Sequence, residues 1–161
     1  VAVSGRPAQL PQRLEFLPLL ESPLQFWAPT ADCAVRRLID AADTASPGYD
    51  WAGIPFIVPE RGITKDLLDQ WLRARGIRPR VYAQVAGHEA IVAMVSLGLG
   101  VGIAPELVVA ASGMQGSVSR IDVPGGLQPL TVGLCSLKQR LLSPVVKSLW
   151  DVAGQTYGVQ V

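Results

Sequence analysis

Short apolar runs alternate along the chain with longer segments whose apolar residues recur at helical spacing. That alternation is the mark of an α/β protein. Residues 1–4, 14–17, 24–28, 55–58, 80–85, 101–104, 118–121 and 130–135 read as strands. The run Pro55-Phe56-Ile57-Val58 is apolar throughout, as expected of a buried strand. Gly5-Arg6-Pro7 turns the chain after the first strand, and a Glu21-Ser22-Pro23 turn separates the second from the third. Residues 29–53 read as loop, with a short helix at 34–41. The clearest surface helix is 64–75, where Leu67, Leu68, Trp71 and Leu72 form one stripe and Lys65, Asp69 and Arg73 lie elsewhere. Gly76 stands where a helix C-cap belongs. Residues 90–97 form a helix that is apolar nearly all round, hence buried. Ser143-Pro144 opens a last helix, with Ser as N-cap and Pro in the first turn, that runs to about Ala153. No internal repeat or low-complexity tract interrupts this order.

At 161 residues the chain is one domain in size, or two small lobes. Its formal net charge of +1 argues against a polyanion-binding surface, which needs an excess of basic residues. Charged residues make up only 17%, so enough apolar material is present to exclude disorder and to leave some apolar surface for a partner. Cys33 and Cys135 have no metal-ligand spacing. A reduced, cytoplasmic compartment is the plain reading, and one long-range disulfide is the alternative. No basic-then-apolar leader opens the chain, which starts inside a strand, so the true N-terminus is expected upstream. Between residues 90 and 119 the only charge is Glu106. Gly98, Gly100, Gly102 and Pro105 would interrupt a bilayer helix there, so the window reads as a buried helix, a turn and a buried strand.

Candidate chemistry sits where strands turn into helices. At Gly87-His88-Glu89 a helix N-terminus offers free amide hydrogens and a positive dipole end, which suit an anion such as a carboxylate. Gly87 permits close approach, and His88 can donate a hydrogen bond. A second junction carries Arg61, Gly62 and Thr64: Arg61 can pair with a carboxylate, and Thr64 can cap the helix that follows. A third is Ser4-Gly5-Arg6 after the first strand. Such junctions, at the carboxyl ends of strands in an open sheet, are where α/β folds bind small molecules. The plain alternatives are a solvated or capping histidine, a glutamate that complements the helix dipole, and a surface arginine beside a capping threonine. The glycines 98, 100 and 102 imitate part of a dinucleotide fingerprint, but the helix precedes them and a strand follows, so a tight structural turn is expected. No nucleophile elbow, phosphate loop, metal set or acid–base pair selects catalysis. No cofactor, metal or catalytic residue is implied.

The stretch from Gly87 to Pro105, with Met94-Val95-Ser96-Leu97-Gly98-Leu99-Gly100-Val101-Gly102-Ile103-Ala104-Pro105 at its end, resembles the effector-binding domain of LysR-type transcriptional regulators. Ile54-Pro55-Phe56-Ile57-Val58, the helix with Trp71 and Gly76, Leu19-Leu20-Glu21-Ser22-Pro23-Leu24 with Ala28-Pro29, and the final helix fit the same family. The words Gly87-His88-Glu89-Ala90, Asp50-Trp51 with Ile54-Pro55-Phe56-Ile57, and Lys138-Gln139-Arg140-Leu141 are similar to the branch that activates acetohydroxy acid isomeroreductase in branched-chain amino-acid synthesis. The resemblance implies a two-lobed, periplasmic-binding-protein-like (type 2) α/β fold. Residues 1–28 would be part of lobe I and the first crossover, 29–129 lobe II, and 130–161 the second crossover and the return to lobe I. The first lobe would be incomplete in this chain. The resemblance further implies a co-inducer bound between the lobes, acetolactate or acetohydroxybutyrate, each with a carboxylate, a tertiary hydroxyl and a ketone. DNA binding would belong to a winged helix-turn-helix outside this chain, and the regulator would be a homodimer or tetramer with no membrane partner. The residues expected at the ligand are Ser4, Gly5, Arg6, Arg61, Gly62, Thr64, Gly87, His88 and Glu89. Two other readings keep the same fold: a solute-binding protein of a transport system, and an enzyme with His88 as acid or base.

Overall fold

A computed structural model describes residues 1–41 and 51–157. Residues 42–50, within the expected loop, and Asp50 of the quoted words lie outside the described residues. The elements in chain order are β1 (Ala2–Gly5), β2 (Leu14–Ser22), β3 (Leu24–Pro29), α1 (Ala34–Asp40), β4 (Pro55–Pro59), α2 (Ile63–Ala74), β5 (Arg80–Val85) and α3 (His88–Ser96). They are followed by β6 (Val101–Pro105), α4 (Glu106–Ser112), β7 (Val118–Ile121), β8 (Leu130–Leu137) and α5 (Pro144–Tyr157). Short 3-10 turns cover Trp51–Gly53 and Lys138–Leu142. Among the described residues no helix is long and apolar enough to cross a membrane.

The chain separates into two compact units, Val1–Ser22 with Pro129–Val161, and Pro23–Gln128. The first holds a three-stranded antiparallel sheet in the order β1-β8-β2. The ladder between β2 and β8 shifts register between Pro18 and Leu20. A proline cannot donate to a ladder and is tolerated on an edge strand at such an irregularity. Helix α5 packs on β2, with Gly154 lying over the Leu17 side chain.

The second unit holds a five-stranded sheet in the order β5-β4-β6-β3-β7. β4 runs parallel to β5 and β6, while β3 runs antiparallel to β6 and β7. Side chains alternate faces along each strand. Phe26, Phe56, Val58 and Ile103 therefore meet Val35 and Ile39 of α1 and Leu68, Trp71 and Leu72 of α2 on one face. Trp27, Ile57 and Ala104 meet Ile91, Val92 and Val95 of α3 and Val109 of α4 on the other. Being covered on both sides is why these strands read as unbroken apolar runs. Four aromatic rings pack together on the first face: Phe26, Trp51, Phe56 and Trp71, with Trp51 and Trp71 edge to face at 5.7 Å.

Several expectations change. The turn expected at residues 21–23 reduces to Pro23, because β2 runs through Ser22 and β3 begins at Leu24. Helix α3 begins two residues early, at His88, and buries one face rather than its whole circumference; Leu97, just past its end, is exposed. Helix α4 was not expected. Its core is apolar and β-branched, yet Pro105 precedes it and Gly113 closes it in the left-handed conformation, and those are helix boundary signals. The glycine turn forms as expected: Gly98 has φ 78°, and a Cβ at Gly100 would lie 2.7 Å from the Pro55 carbonyl. Both cysteines are free thiols in this structure.

Candidate functional site

Two of the expected junctions lie side by side. β4 and β5 are parallel neighbours whose last residues, Pro59 and Val85, are in register. The Glu60 amide donates to the Val85 carbonyl at 2.9 Å and ties the two strand ends together. From one end the chain turns into α2, from the other into α3. Parallel strands followed by helices necessarily place both helix N-termini at the same edge of the sheet.

Each helix starts from a glycine held at positive φ: Gly62 at 96° and Gly87 at 85°. A Cβ would be strained in either conformation, which explains why glycine stands there. Both glycines are N-cap residues with no side chain to offer, and neither helix has a side-chain cap hydrogen bond. The amides of both first turns therefore point out of the helices without a capping oxygen, and the two dipoles add their positive ends.

Thr64 was expected to cap α2. It lies instead inside the first turn, because the helix begins at Ile63 with Gly62 as N-cap. Its side chain is only 4% exposed, and Oγ1 lies 2.8 Å from Nε2 of His88. A hydroxyl buried this deeply requires a partner, and the imidazole supplies one. With Nε2 as acceptor, Thr64 donates and Nδ1 carries the ring proton; the other tautomer reverses these roles. His88 is half-buried at the first position of α3. Burial pushes its imidazole below the ordinary value of 6.5, against the opposing pull of the Glu89 carboxylate. His88 is consequently neutral at pH 7, with one donor and one acceptor.

Glu89 is exposed in the first turn of α3, and its Oε2 would lie 3.4 Å from a Cβ at Gly87. Its carboxylate thus folds back over its own helix N-terminus and complements the dipole. Arg61 is exposed between β4 and α2 and makes no ion pair among the described residues. The structure therefore brings Arg61, Gly62 and Thr64 beside Gly87, His88 and Glu89. Ser4, Gly5 and Arg6 belong to the other unit. Ser4 and Gly5 pair with Gly133 and Val132 of β8, and the Arg6 amide donates to the Thr131 carbonyl at 2.8 Å. No helix follows them; the chain loops to β2. This third junction is therefore not of the strand-to-helix kind. Sequence reasoning missed the Thr64–His88 bond, since no periodicity links residues 24 apart. Among the described residues no three His, Cys, Asp or Glu side chains gather as a metal site.

The sequence profile of the LysR substrate binding domain matches residues 1–158. The chain belongs to this family. It is similar to the transcriptional activator IlvY of Haemophilus influenzae, with 34% identity over 151 residues, 93% of this chain and 50% of that protein. It is similar also to the transcriptional regulator IlvY of Escherichia coli, with 32% identity over 155 residues, 94% of this chain and 50% of that protein. The chain thus spans about half the length of the curated relatives it matches, and those relatives are regulators of transcription, not enzymes. Among solved structures, the effector-binding domain of QuiR in complex with shikimate superposes with a TM-score of 0.73 at 22% identity, over 96% of this chain and 70% of that one. The regulatory domain of Synechocystis PCC6803 CcmR in complex with 2-PG gives 0.76 at 18%, over 96% and 72%. These likenesses establish the two-sheet, periplasmic-binding-protein-like fold of LysR effector domains.

Proposed function

We propose that the chain is the small-molecule-sensing part of a LysR-type transcription factor and that its co-inducer is an acetohydroxy acid, acetolactate or acetohydroxybutyrate. The observation that carries this reading is the pair of uncapped helix N-termini joined by the Thr64–His88 hydrogen bond. Their amides and Arg61 suit the carboxylate, and the neutral imidazole of His88 suits the hydroxyl or the ketone. Glu89 contributes an acceptor for the hydroxyl. By the family resemblance, residues 1–28 and 130–161 would belong to lobe I and residues 29–129 to lobe II. A ligand that binds one conformation of the regulator more tightly than another shifts the balance between them, and that shift is what DNA-binding domains elsewhere in the regulator would feel. The IlvY relatives support the choice of pathway. The shikimate held by QuiR, a carboxylate, supports the choice of an acid. The protein would work in the cytoplasm as a homodimer or tetramer.

Titration calorimetry with acetolactate tests this. His88→Ala is expected to weaken binding about tenfold to a hundredfold, the loss of one hydrogen bond to a charged or strongly polar group, with the thermal transition retained. Unchanged affinity would remove His88 from the site, and no binding by the unaltered chain would overturn the ligand assignment.

A further inference from the structure

Residues 122–128 lead from β7 toward β8, and a single side chain holds their middle. Arg75, the C-cap residue of α2, lays its guanidinium over the ring of Trp71, 4.4 Å from the centroid, and its Nη2 donates to the Pro124 carbonyl at 2.8 Å. Among the described residues this is the one hydrogen bond that reaches residues 123–128 from another element. The Gly126 amide donates to the Val123 carbonyl at 3.0 Å and closes the turn on itself. Trp71 is buried against Phe26 at 4.8 Å, and its indole N–H finds no hydrogen-bond partner among the described residues. Packing alone therefore fixes the ring on which Arg75 lies. A planar guanidinium can lie flat on a ring and donate from its edge at the same time. The turn is shaped to receive it: Gly125 has φ 72°, and a Cβ there would lie 2.8 Å from Arg75 Nη2. On either side, Val123 and Leu127 are half-buried against the apolar cluster that contains Trp71.

Helix α2 is thus tied at both ends. Thr64 in its first turn bonds to His88 at 2.8 Å, and Arg75 just past its last turn bonds to the connecting turn. The two positions are about 16 Å apart along the helix axis at 1.5 Å per residue. We propose that Arg75 is a positioning residue: it latches residues 122–128 to α2, so that a displacement of α2 at its Thr64 end is passed to the chain that enters β8. Coupling between distant positions travels through stiff elements and the contacts at their ends. The helix is the stiff element, and the turn, with Gly125 and Gly126 both at positive φ, is the compliant one that follows it. That a co-inducer causes the displacement rests on the ligand reading above; the latch does not.

Amide NMR of the 161-residue chain tests this with Arg75→Met, which keeps an aliphatic stem and removes the charge and the donor. Without ligand, order parameters at Gly125, Gly126 and Leu127 are expected to fall from about 0.85 to below about 0.6 in the variant, with those of α2 and β4 unchanged. Unchanged order at all three would overturn the latch. Acetolactate is then expected to shift the Gly62 and Gly87 resonances in both chains, and those of Gly126 and Leu127 at least about threefold more in the unaltered chain than in Arg75→Met. Equal shifts at Gly126 and Leu127 in the two chains would overturn the proposal. So would their stillness in the unaltered chain while Gly62 and Gly87 move. Acetolactate that moves neither Gly62 nor Gly87 defeats the ligand reading instead. Thr64→Val, which breaks the bond to His88 at that end of α2, then serves as the displacement, with the same outcomes at Gly126 and Leu127 deciding the proposal.

Discussion

The unit spanning Pro23–Gln128 sandwiches its sheet between helices, two on one face and two on the other, and contains both apolar clusters found among the described residues. The unit formed by Val1–Ser22 and Pro129–Val161 sets one helix against three strands, and its only buried apolar side chains among the described residues are Leu130 and Leu134. Both have a well-formed sheet, so ladder hydrogen bonding alone does not distinguish them. What differs is how much apolar area each removes from water, and burial is the dominant favourable term in folding. The doubly covered unit is also the one that carries the strand-to-helix turns, β4 into α2, β5 into α3 and β6 into α4. Its parallel strands need helical crossovers, and crossovers create helix N-termini at one edge. The antiparallel three-stranded unit has no such requirement, and its β1 ends in a loop.

The comparison breaks most visibly in the core. Phe56→Ala is expected to destabilise the chain by about 3–5 kcal/mol in urea unfolding, because Phe56 is fully buried between helix and sheet. Leu134→Ala is expected to cost about 2 kcal/mol, near the lower limit for such truncations. Equal losses would mean that the two units are equally packed.

Smaller effects separate the glycines. Gly62→Ala is expected to cost about 1–3 kcal/mol, since φ 96° with ψ −176° is backbone that only glycine adopts readily. Gly154→Ala, in the interior of α5, is expected to stabilise by about 0.5–1 kcal/mol, because a Cβ there meets Leu17 at 3.5 Å, an ordinary contact, and gains helix propensity. The same substitution thus has opposite signs in the two units, and a denaturation midpoint for each variant reads the sign directly.

The smallest effect is a pH dependence. His88 has a folded value held below 6.5 by burial, so the unfolded chain takes up the proton first as pH falls. Stability is full above about 6.5 and declines as pH drops through the lowered value. Midpoints at pH 7.5 and 5.5 should differ in the unaltered chain, and that difference should shrink in His88→Gln. Equal slopes in both would place the imidazole in water.

Most strands were legible because their cause is local. Arg80–Val85 and Val118–Ile121 coincide with the runs that predicted them, and Pro55-Phe56-Ile57-Val58 lacks only Pro59. Helix α2 was legible from its stripe, apart from one residue at each end. Helix α4 was not, since a seven-residue apolar segment with adjacent valines has no period long enough to distinguish helix from strand. Within the site, Gly62 and Gly87 could be found from turn chemistry. The reassignment of Thr64 from cap to buried partner could not, because it depends on a ring that arrives from the neighbouring crossover.

By itself the sequence determined which segments become strands and helices, where glycine must stand, and, through the run from Gly87 to Pro105, the LysR family. Each of these follows from side-chain periodicity and backbone sterics within a few residues. Only the tertiary structure decided that β4 and β5 are parallel neighbours, that Thr64 and His88 share a hydrogen bond, and that Ser4, Gly5 and Arg6 lie in a different unit from them. Those outcomes depend on which strands pair, and pairing is settled by burial across the whole sheet, a quantity that no short stretch of chain contains.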